Sequence, residues 1–360
     1  MCARHVFIAG GGSGGHVFPG LAVAESLVGR GWQVSWLGRQ QGMEKEIVEG
    51  RGLDYHGLPA LAVVGRGPVS RLQALWTLAR SALAARSIIR RLDIGVVLGT
   101  GGFASVPGVA GAHLAGRPSV LLEPNAKPGA ANRWLSRWSA VAATGYRETA
   151  AGLRCRVQPT GIPVREEFFA GPRRPPAESL VLLVLGGSQG ARQLNRTLPR
   201  ALELVAPRLP ELRVLHQVGD RNLDEARQAY EECDLGTLEI ELQPFLHDVA
   251  PVMSGAHLVI SRAGAVTLAE ICAVGRAAVL VPLRLAGGHQ EQNAERLAAT
   301  GGAVVLPADE MNAERLAEVL SELLADRRRL ESMGESLHEL SRPEAAEAIA
   351  DLVIELGEAA

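Results

Sequence analysis

A short apolar run that ends in glycine and opens into a helix occurs twice in this chain of 360 residues, and that repeated unit limits the fold more than any other feature. His5-Val-Phe-Ile-Ala9 leads into Gly10-Gly-Gly-Ser-Gly-Gly15, and helical periodicity follows from about His16 to Gly29. Leu180-Val-Leu-Leu-Val-Leu185 leads into Gly186-Gly-Ser-Gln-Gly190 and a second helix. Further strands are expected at Gln33 to Leu37, Ile94 to Leu98 and Ser119 to Leu122 in the first half. In the second half they are expected at Arg213 to Val218, Leu238 to Leu242, His257 to Ser261, Ala277 to Val281 and Ala303 to Leu306. Strand, loop and helix in alternation imply parallel sheets covered by helices on both faces. Pro159-Thr-Gly-Ile-Pro163, followed by Gly171-Pro-Arg-Arg-Pro-Pro176, breaks the pattern. The expectation is two doubly wound α/β domains, 1–163 and 164–342, which suits the length. Ser341-Arg-Pro-Glu344 reads as a capping box with proline at the first helical position. Ile349, Leu352, Val353 and Leu356 share one face of that last helix (343–360), which needs a surface and could find it on the first domain.

Composition removes several classes. Hydrophobic residues are 47% of the chain, enough for a real core. The net charge of −2 and the 4% aromatic content argue against nucleic acid as a partner. Cys2, Cys155, Cys233 and Cys272 are far apart and show no metal-ligand spacing, so reduced bystander thiols are expected. Cys272, with Leu268 and Ile271 at helical spacing, is read as core, and the charges from Glu314 to Glu335 as a solvated helical face. No apolar run reaches 18 residues, and Met1 to Gly10 does not read as a signal peptide. There is no Asp-x-Asp motif, so neither a metal nor a cofactor is expected.

The glycine loops admit three chemistries. Gly10-x-Gly12-x-x-Gly15 after a strand matches the dinucleotide fingerprint. The second strand, however, ends Trp36-Leu-Gly38-Arg39 without the acid that holds a nicotinamide ribose, and Glu44 and Glu46 lie beyond it. Gly186-x-Ser188-x-Gly190 also reads as the nucleophile elbow of a serine hydrolase, with Asp248 and His289 available downstream. The third reading is simpler: backbone amides at a helix start, free of side chains, hold a diphosphate.

Seven motifs, in order, carry a resemblance: Gly11-Gly-Ser-Gly-Gly-His16-Val-Phe-Pro-Gly-Leu-Ala-Val-Ala24, Leu98-Gly-Thr-Gly-Gly-Phe103, Glu123-Pro-Asn125, Gly161-Ile-Pro-Val-Arg165, Gly186-Gly-Ser-Gln-Gly-Ala191, Ser261-Arg-Ala-Gly-Ala-Val-Thr-Leu-Ala-Glu270, and His289-Gln290 with Asn293-Ala294. Over nearly its whole length the chain resembles the bacterial MurG family. The resemblance implies the GT-B fold, two Rossmann-like domains facing across a cleft that closes about Pro159–Arg165. It implies an inverting transferase that moves N-acetylglucosamine from UDP to undecaprenyl-diphosphate-muramoyl-pentapeptide (lipid I to lipid II) in peptidoglycan synthesis. The enzyme would be peripheral, on the cytoplasmic face of the cell membrane, among cell-wall synthesis proteins. The first domain would hold the acceptor and the second the donor.

Roles follow position by position. Ser13, Gly14 and Gly15 would line the acceptor side, with Ser13 where threonine is more usual. Asn125 would contact the donor sugar, although Leu122-Glu-Pro-Asn125 departs from the family's commoner His-Glu-Gln-Asn. Arg165 and Ser188 would meet the nucleotide and its phosphates, and the Leu246 backbone the uracil. Ala265, Val266, Thr267, Leu268, Ala269 and Glu270 would wrap sugar and nucleotide, with Glu270 on the ribose. Gln290 would read the sugar hydroxyls. The competing classes are a serine hydrolase using Ser188 and a non-catalytic nucleotide-sugar-binding membrane scaffold.

His16 is the candidate general base. It opens a helix, whose positive end disfavours imidazolium and helps keep the ring neutral at pH 7. Glu123 is the second candidate. Between Asp54 and Asp93 there is no acidic residue, while Arg66, Arg71, Arg80, Arg86, Arg90 and Arg91 all fall there. Leu72, Leu75, Trp76, Leu78, Ala79 and Leu83 interleave with them at helical spacing. This Arg66–Arg91 stretch is expected to dock on an anionic membrane surface.

Overall fold

The computed structural model describes residues 4–61, 67–172, 174–175, 179–187, 190–283 and 288–359. The chain forms two compact units. One comprises Met1–Arg165 together with Arg342–Ala360; the other is Glu166–Ser341.

Among the described residues the first unit has seven strands: β1 (His5–Ala9), β2 (Gln33–Arg39), β3 (Asp54–Leu58), β4 (Val96–Gly99), β5 (Ser119–Glu123), β6 (Val141–Thr144) and β7 (Arg156–Pro159). They form one parallel sheet in the order β3-β2-β1-β4-β5-β6-β7. Its helices are α1 (Gly14–Gly29), α2 (Glu44–Glu49), α3 (Pro68–Arg91), α4 (Val106–Ala115) and α5 (Ala130–Leu135). β1 is buried along its whole length because helices cover both faces, which is why it reads as an unbroken apolar run. Its side chains alternate between two core layers. Val6 and Ile8 pack with Leu21, Trp36 and Leu98 on one face. Phe7 and Ala9 pack with Ile89, Val97 and Val109 on the other.

Among the described residues the second unit has six strands: β8 (Leu180–Leu185), β9 (Leu212–Gln217), β10 (Glu239–Gln243), β11 (Leu258–Ser261), β12 (Ala277–Leu280) and β13 (Ala303–Val305). This sheet is also parallel, in the order β10-β9-β8-β11-β12-β13. Its helices are α6 (Arg192–Val205), α7 (Leu223–Glu231), α8 (Val249–Gly255), α9 (Ala265–Val274), α10 (His289–Ala298), α11 (Ala313–Leu324) and α12 (Arg327–His338). The charges from Glu314 to Glu335 span two helices, because the Asp326 carboxylate accepts the Arg329 amide and starts α12 afresh.

The final helix, α13 (Ala345–Glu358), returns to the first unit. It lies against α1 and against β1, β4 and β5. Ile349, Leu352 and Val353 are buried there, as their spacing predicts. Gly357 sits so close to Trp32 that a Cβ would fall 2.4 Å from the ring. Pro343 and Glu344 make a turn, the helix begins at Ala345, two residues past the proline expected to open it, and Glu344 gives it no side-chain cap.

In α3, Ala74, Leu78, Ala82, Ala85 and Ile89 are buried. The helix crosses α4 at Gly111, where a Cβ would fall 2.8 Å from that of Ala85. The outer face keeps Leu72, Leu75, Trp76 and Leu83 exposed, Trp76 by 67%. Arg71, Arg80, Arg90 and Arg91 are exposed on the same helix and Arg86 is half-buried, whereas Arg66 lies outside the described residues. No described helix is long and apolar enough to cross a membrane.

Candidate functional site

In each sheet the strand order reverses once, between β1 and β4 in the first unit and between β8 and β11 in the second. Ligands of open parallel sheets bind beyond the strand ends at such a reversal. The first glycine loop, with His16, follows β1 at one of these reversals, and the second follows β8 at the other.

In the first unit, β1 delivers the Gly10–Gly15 loop and β4 delivers Thr100 to Gly102. Ser13 precedes α1 with extended backbone, and its carbonyl accepts the His16 and Val17 amides at 3.1 and 3.3 Å. Gly15 is exposed, and a Cβ there would meet only Ser13 Oγ at 3.8 Å, an ordinary contact, while a Cβ on Gly14 would meet the Phe18 ring at 3.0 Å. His16 reaches across to β4, where its Nδ1 lies 3.0 Å from the Thr100 carbonyl. A carbonyl only accepts, so Nδ1 carries the proton, and in the neutral ring Nε2 is left with a lone pair. Burial is the main influence holding the imidazole below its ordinary pKa, and the nearby Glu123 charge and the Thr100 bond oppose it only in part. Neutrality thus arises chiefly from burial, whereas the sequence reading credited the helix end.

The Gly99–Gly102 loop is one of the motifs that carry the resemblance. Gly101 and Gly102 have a nearer reason to be glycine. Both have positive φ, and a Cβ on either would fall about 3 Å from the His16 ring. They form the slot that holds the imidazole.

Glu123, at the end of β5, is 2% exposed. Its carboxylate accepts the Asn125 amide at 3.1 Å and Asn125 Nδ2 at 2.9 Å, and also Gly129 N at 2.8 Å and Asn132 Nδ2 at 2.9 Å. A carboxylate bonded four times is suited to orienting Asn125 rather than to taking a proton. Arg165 is buried, with its guanidinium 4.6 Å above the Phe18 ring.

In the second unit, Ser188 lies outside the described residues, so its geometry toward Asp248 and His289 is not described. Around it, Gly187 and Gly190 have positive φ, and a Cβ on Gly190 would sit 2.3 Å from the Val218 carbonyl. α9 follows β11 directly and carries Ala265 to Glu270. Thr267 and Ala269 are half-exposed; Ala265, Val266, Leu268 and Glu270 are buried, with Leu268 at 1% exposure. Leu268 therefore packs in the core, and its side chain does not face a ligand. The Leu246 amide donates to Gln217 Oε1 at 3.2 Å, and Gln290 Oε1 accepts the Leu283 amide at 2.9 Å.

Sequence reasoning passed over Glu44, Thr100, Phe18 and Gln217. Glu44 was set aside because it lies past the end of β2, yet it is fully buried against Gly12. Among the described residues, no three His, Cys, Asp or Glu side chains gather as a metal site, and Cys155, Cys233 and Cys272 are free thiols.

Known proteins match the chain over nearly its whole length. Residues 6–144 fit the glycosyltransferase family 28 N-terminal domain, and residues 181–349 fit the glycosyltransferase family 28 C-terminal domain. A UDP-N-acetylglucosamine--N-acetylmuramyl-(pentapeptide) pyrophosphoryl-undecaprenol N-acetylglucosamine transferase from Halorhodospira halophila is 42% identical, with 99% of each chain covered. A protein of the same description from Ectopseudomonas mendocina is 42% identical over 98% of each. The crystal structure of Acinetobacter baumannii MurG superposes with a TM-score of 0.78 at 31% identity, covering 98% of this chain and 99% of that one.

Proposed function

The chain belongs to the MurG family of family 28 glycosyltransferases, and from that premise we propose that it moves N-acetylglucosamine from UDP-N-acetylglucosamine to the muramoyl 4-hydroxyl of undecaprenyl-diphosphate-muramoyl-pentapeptide. The acceptor oxygen bonds to the anomeric carbon from the face opposite UDP. The bond from that carbon to the UDP oxygen breaks, UDP departs with the electron pair, and a β-1,4 linkage results. The acceptor proton passes to His16 Nε2.

The observation that carries this reading is the His16 imidazole. Its Nδ1–H is spent on Thr100, burial keeps it neutral, and Gly101 and Gly102 fix its plane. That is how a general base is held when its Nε2 must face an acceptor hydroxyl. Glu123 orients Asn125, which in this reading touches the donor sugar. The second unit takes the donor, with Glu270 on the ribose, Gln290 on the sugar hydroxyls and the Leu246 carbonyl on uracil. Arg165 and Ser188 serve the diphosphate. Arginine and helix-start amides stabilise the leaving diphosphate without help from a metal.

The lipid-linked acceptor calls for a docking face, and α3 supports one on the cytoplasmic leaflet. Leu72, Leu75, Trp76 and Leu83 stand exposed beside Arg71, Arg80, Arg90 and Arg91, with no acid from residue 55 to residue 92. Each arginine near an anionic surface is worth about 1 kcal/mol. With three of the four facing the surface, co-sedimentation should favour phosphatidylglycerol vesicles over neutral ones by about two decades; equal binding to both would remove the electrostatic part.

The deciding assay is UDP release from UDP-N-acetylglucosamine with and without the lipid-linked acceptor. Acceptor-dependent release is expected. Donor binding without release would make the protein a nucleotide-sugar-binding scaffold instead.

A further inference from the structure

The first glycine loop has the shape of a nucleotide-diphosphate cradle, but a side chain of this chain already fills it. Glu44, the first residue of α2, is 0% exposed. Its Oε2 accepts the Gly12 amide at 3.3 Å. Its Oε1 accepts the Arg39 amide at 3.0 Å and Arg39 Nε at 3.1 Å, and Arg39 Nη2 donates to Oε2 at 3.3 Å. The surrounding glycines make room for this carboxylate. A Cβ on Gly11 would lie 2.2 Å from Oε1, one on Gly42 2.3 Å from Oε2, and one on Gly38 3.0 Å from the Glu44 Cγ. Burial pushes the carboxyl pKa up, but Arg39 and the backbone amides outweigh it and keep the group ionised.

An arginine fork and a glycine-loop amide converging on two oxygens is the donor set that proteins use for phosphate. We propose that Glu44 is a resident anion that occupies this cradle and bars nucleotide diphosphates from the first unit. It would thereby act as a specificity-determining residue that leaves the nucleotide to the second unit. A phosphate entering between Gly10 and Gly12 would meet a buried like charge and find Arg39 and the Gly12 amide already engaged. Any phosphate of the acceptor must then use amides beyond Gly12. The inference does not depend on which acceptor the protein uses.

The experiment uses the full chain, inorganic pyrophosphate as probe, and saturating UDP throughout so that any site in the second unit is already filled. Thermal unfolding is recorded at constant ionic strength for wild type, Glu44→Ala and Glu44→Gln. Wild type should not respond to pyrophosphate. Glu44→Ala, with Arg39 and the Gly12 amide released, should gain about 2–4 °C at ten times its pyrophosphate Kd. Glu44→Gln keeps the shape without the charge and should gain less. If Glu44→Ala folds poorly, its refolding yield is measured with and without pyrophosphate, and rescue by the anion supports the proposal. A wild type stabilised as much as the variants overturns it, and so does the absence of any pyrophosphate response in both variants by both readouts.

Discussion

The two glycine loops look alike in sequence and are unlike in space. In the first unit the loop closes on side chains: Glu44 fills the turn at Gly11 and Gly12, and Thr100 crowds Gly10 so closely that a Cβ would fall 1.8 Å from its hydroxyl oxygen. In the second unit the described part closes mainly on backbone, with the Asn222 side-chain amide beside Gly190. A Cβ on Gly186 would lie 2.9 Å from the Ala191 nitrogen and from the Gln217 carbonyl, and Gly190 is pressed against Val218. One strand–glycine–helix pattern can thus be closed in two ways, on the protein's own side chains in one unit and largely on backbone in the other, where Gly186 N donates to the Gln217 carbonyl and Gly190 N to the Gly187 carbonyl.

The sharpest break in the comparison should come at His16, because the chemistry is assigned to the first loop alone. His16→Ala is expected to lower kcat by about 10²–10⁴-fold while UDP-N-acetylglucosamine binds as before. An unchanged turnover in the UDP-release assay would move the base elsewhere. In the native protein, kcat should fall toward acid with a midpoint below the ordinary histidine value, as the lowered His16 pKa requires.

Backbone closure should tolerate a methyl group less than side-chain closure. Gly190→Ala combines positive φ with a clash against a carbonyl, and about 2–4 kcal/mol of stability should be lost. Gly102→Ala shares the positive φ but crowds the His16 ring, with the Gly11 carbonyl at an ordinary 3.5 Å, so about 1–2 kcal/mol should go, and kcat should drop before the donor KM changes. Chemical denaturation together with steady-state kinetics separates the two.

Acid should also distinguish the units. His216 in β9 is fully buried beside the Tyr230 hydroxyl, and burial pushes its pKa down to about 3. The unfolded chain takes up that proton near pH 6.5 and the folded chain does not. The stability it lends is complete above 6.5 and is lost as pH falls toward 3, by about 1.4 kcal/mol per unit. All five tryptophans (Trp32, Trp36, Trp76, Trp134 and Trp138) belong to the first unit, so their emission follows that unit alone. His216→Phe should flatten the acid slope seen by circular dichroism and leave the tryptophan transition where it was.

The smallest effect is expected at Gly15→Ala. A Cβ there makes only an ordinary contact with Ser13 Oγ and the φ is ordinary, so stability should change by no more than about 0.5 kcal/mol. A raised acceptor KM without a change in Tm would place a ligand at that amide.

What could be read from sequence followed burial. β8 was found to the residue because both its faces are covered and Leu180–Leu185 is apolar throughout. β3 and β7 were missed because they are sheet edges: Asp-Tyr-His-Gly-Leu and Arg-Val-Gln-Pro are partly solvated and carry no continuous apolar signal. β6 was missed as a four-residue strand holding two alanines. The position of His16 at a helix start was legible from the glycine loop, but its partner Thr100 was not, since 84 residues separate them. Glu44 escaped for the same reason. A buried carboxylate that folds back onto a loop 32 residues earlier leaves no periodicity to read.

The return of α13 to the first unit has a consequence for biosynthesis. The second unit is an insertion between β7 and α13, so the unit begun first on the ribosome is the one finished last. At roughly 5–20 residues per second, about 10–40 s pass between the synthesis of Arg165 and the end of the chain. For that interval the apolar face formed by Val17, Leu21 and Trp32 waits for Ile349, Leu352 and Val353. A chain that stops short of α13 would carry a finished second unit and a first unit with its core open on one side, a direct substrate for chaperones and proteases.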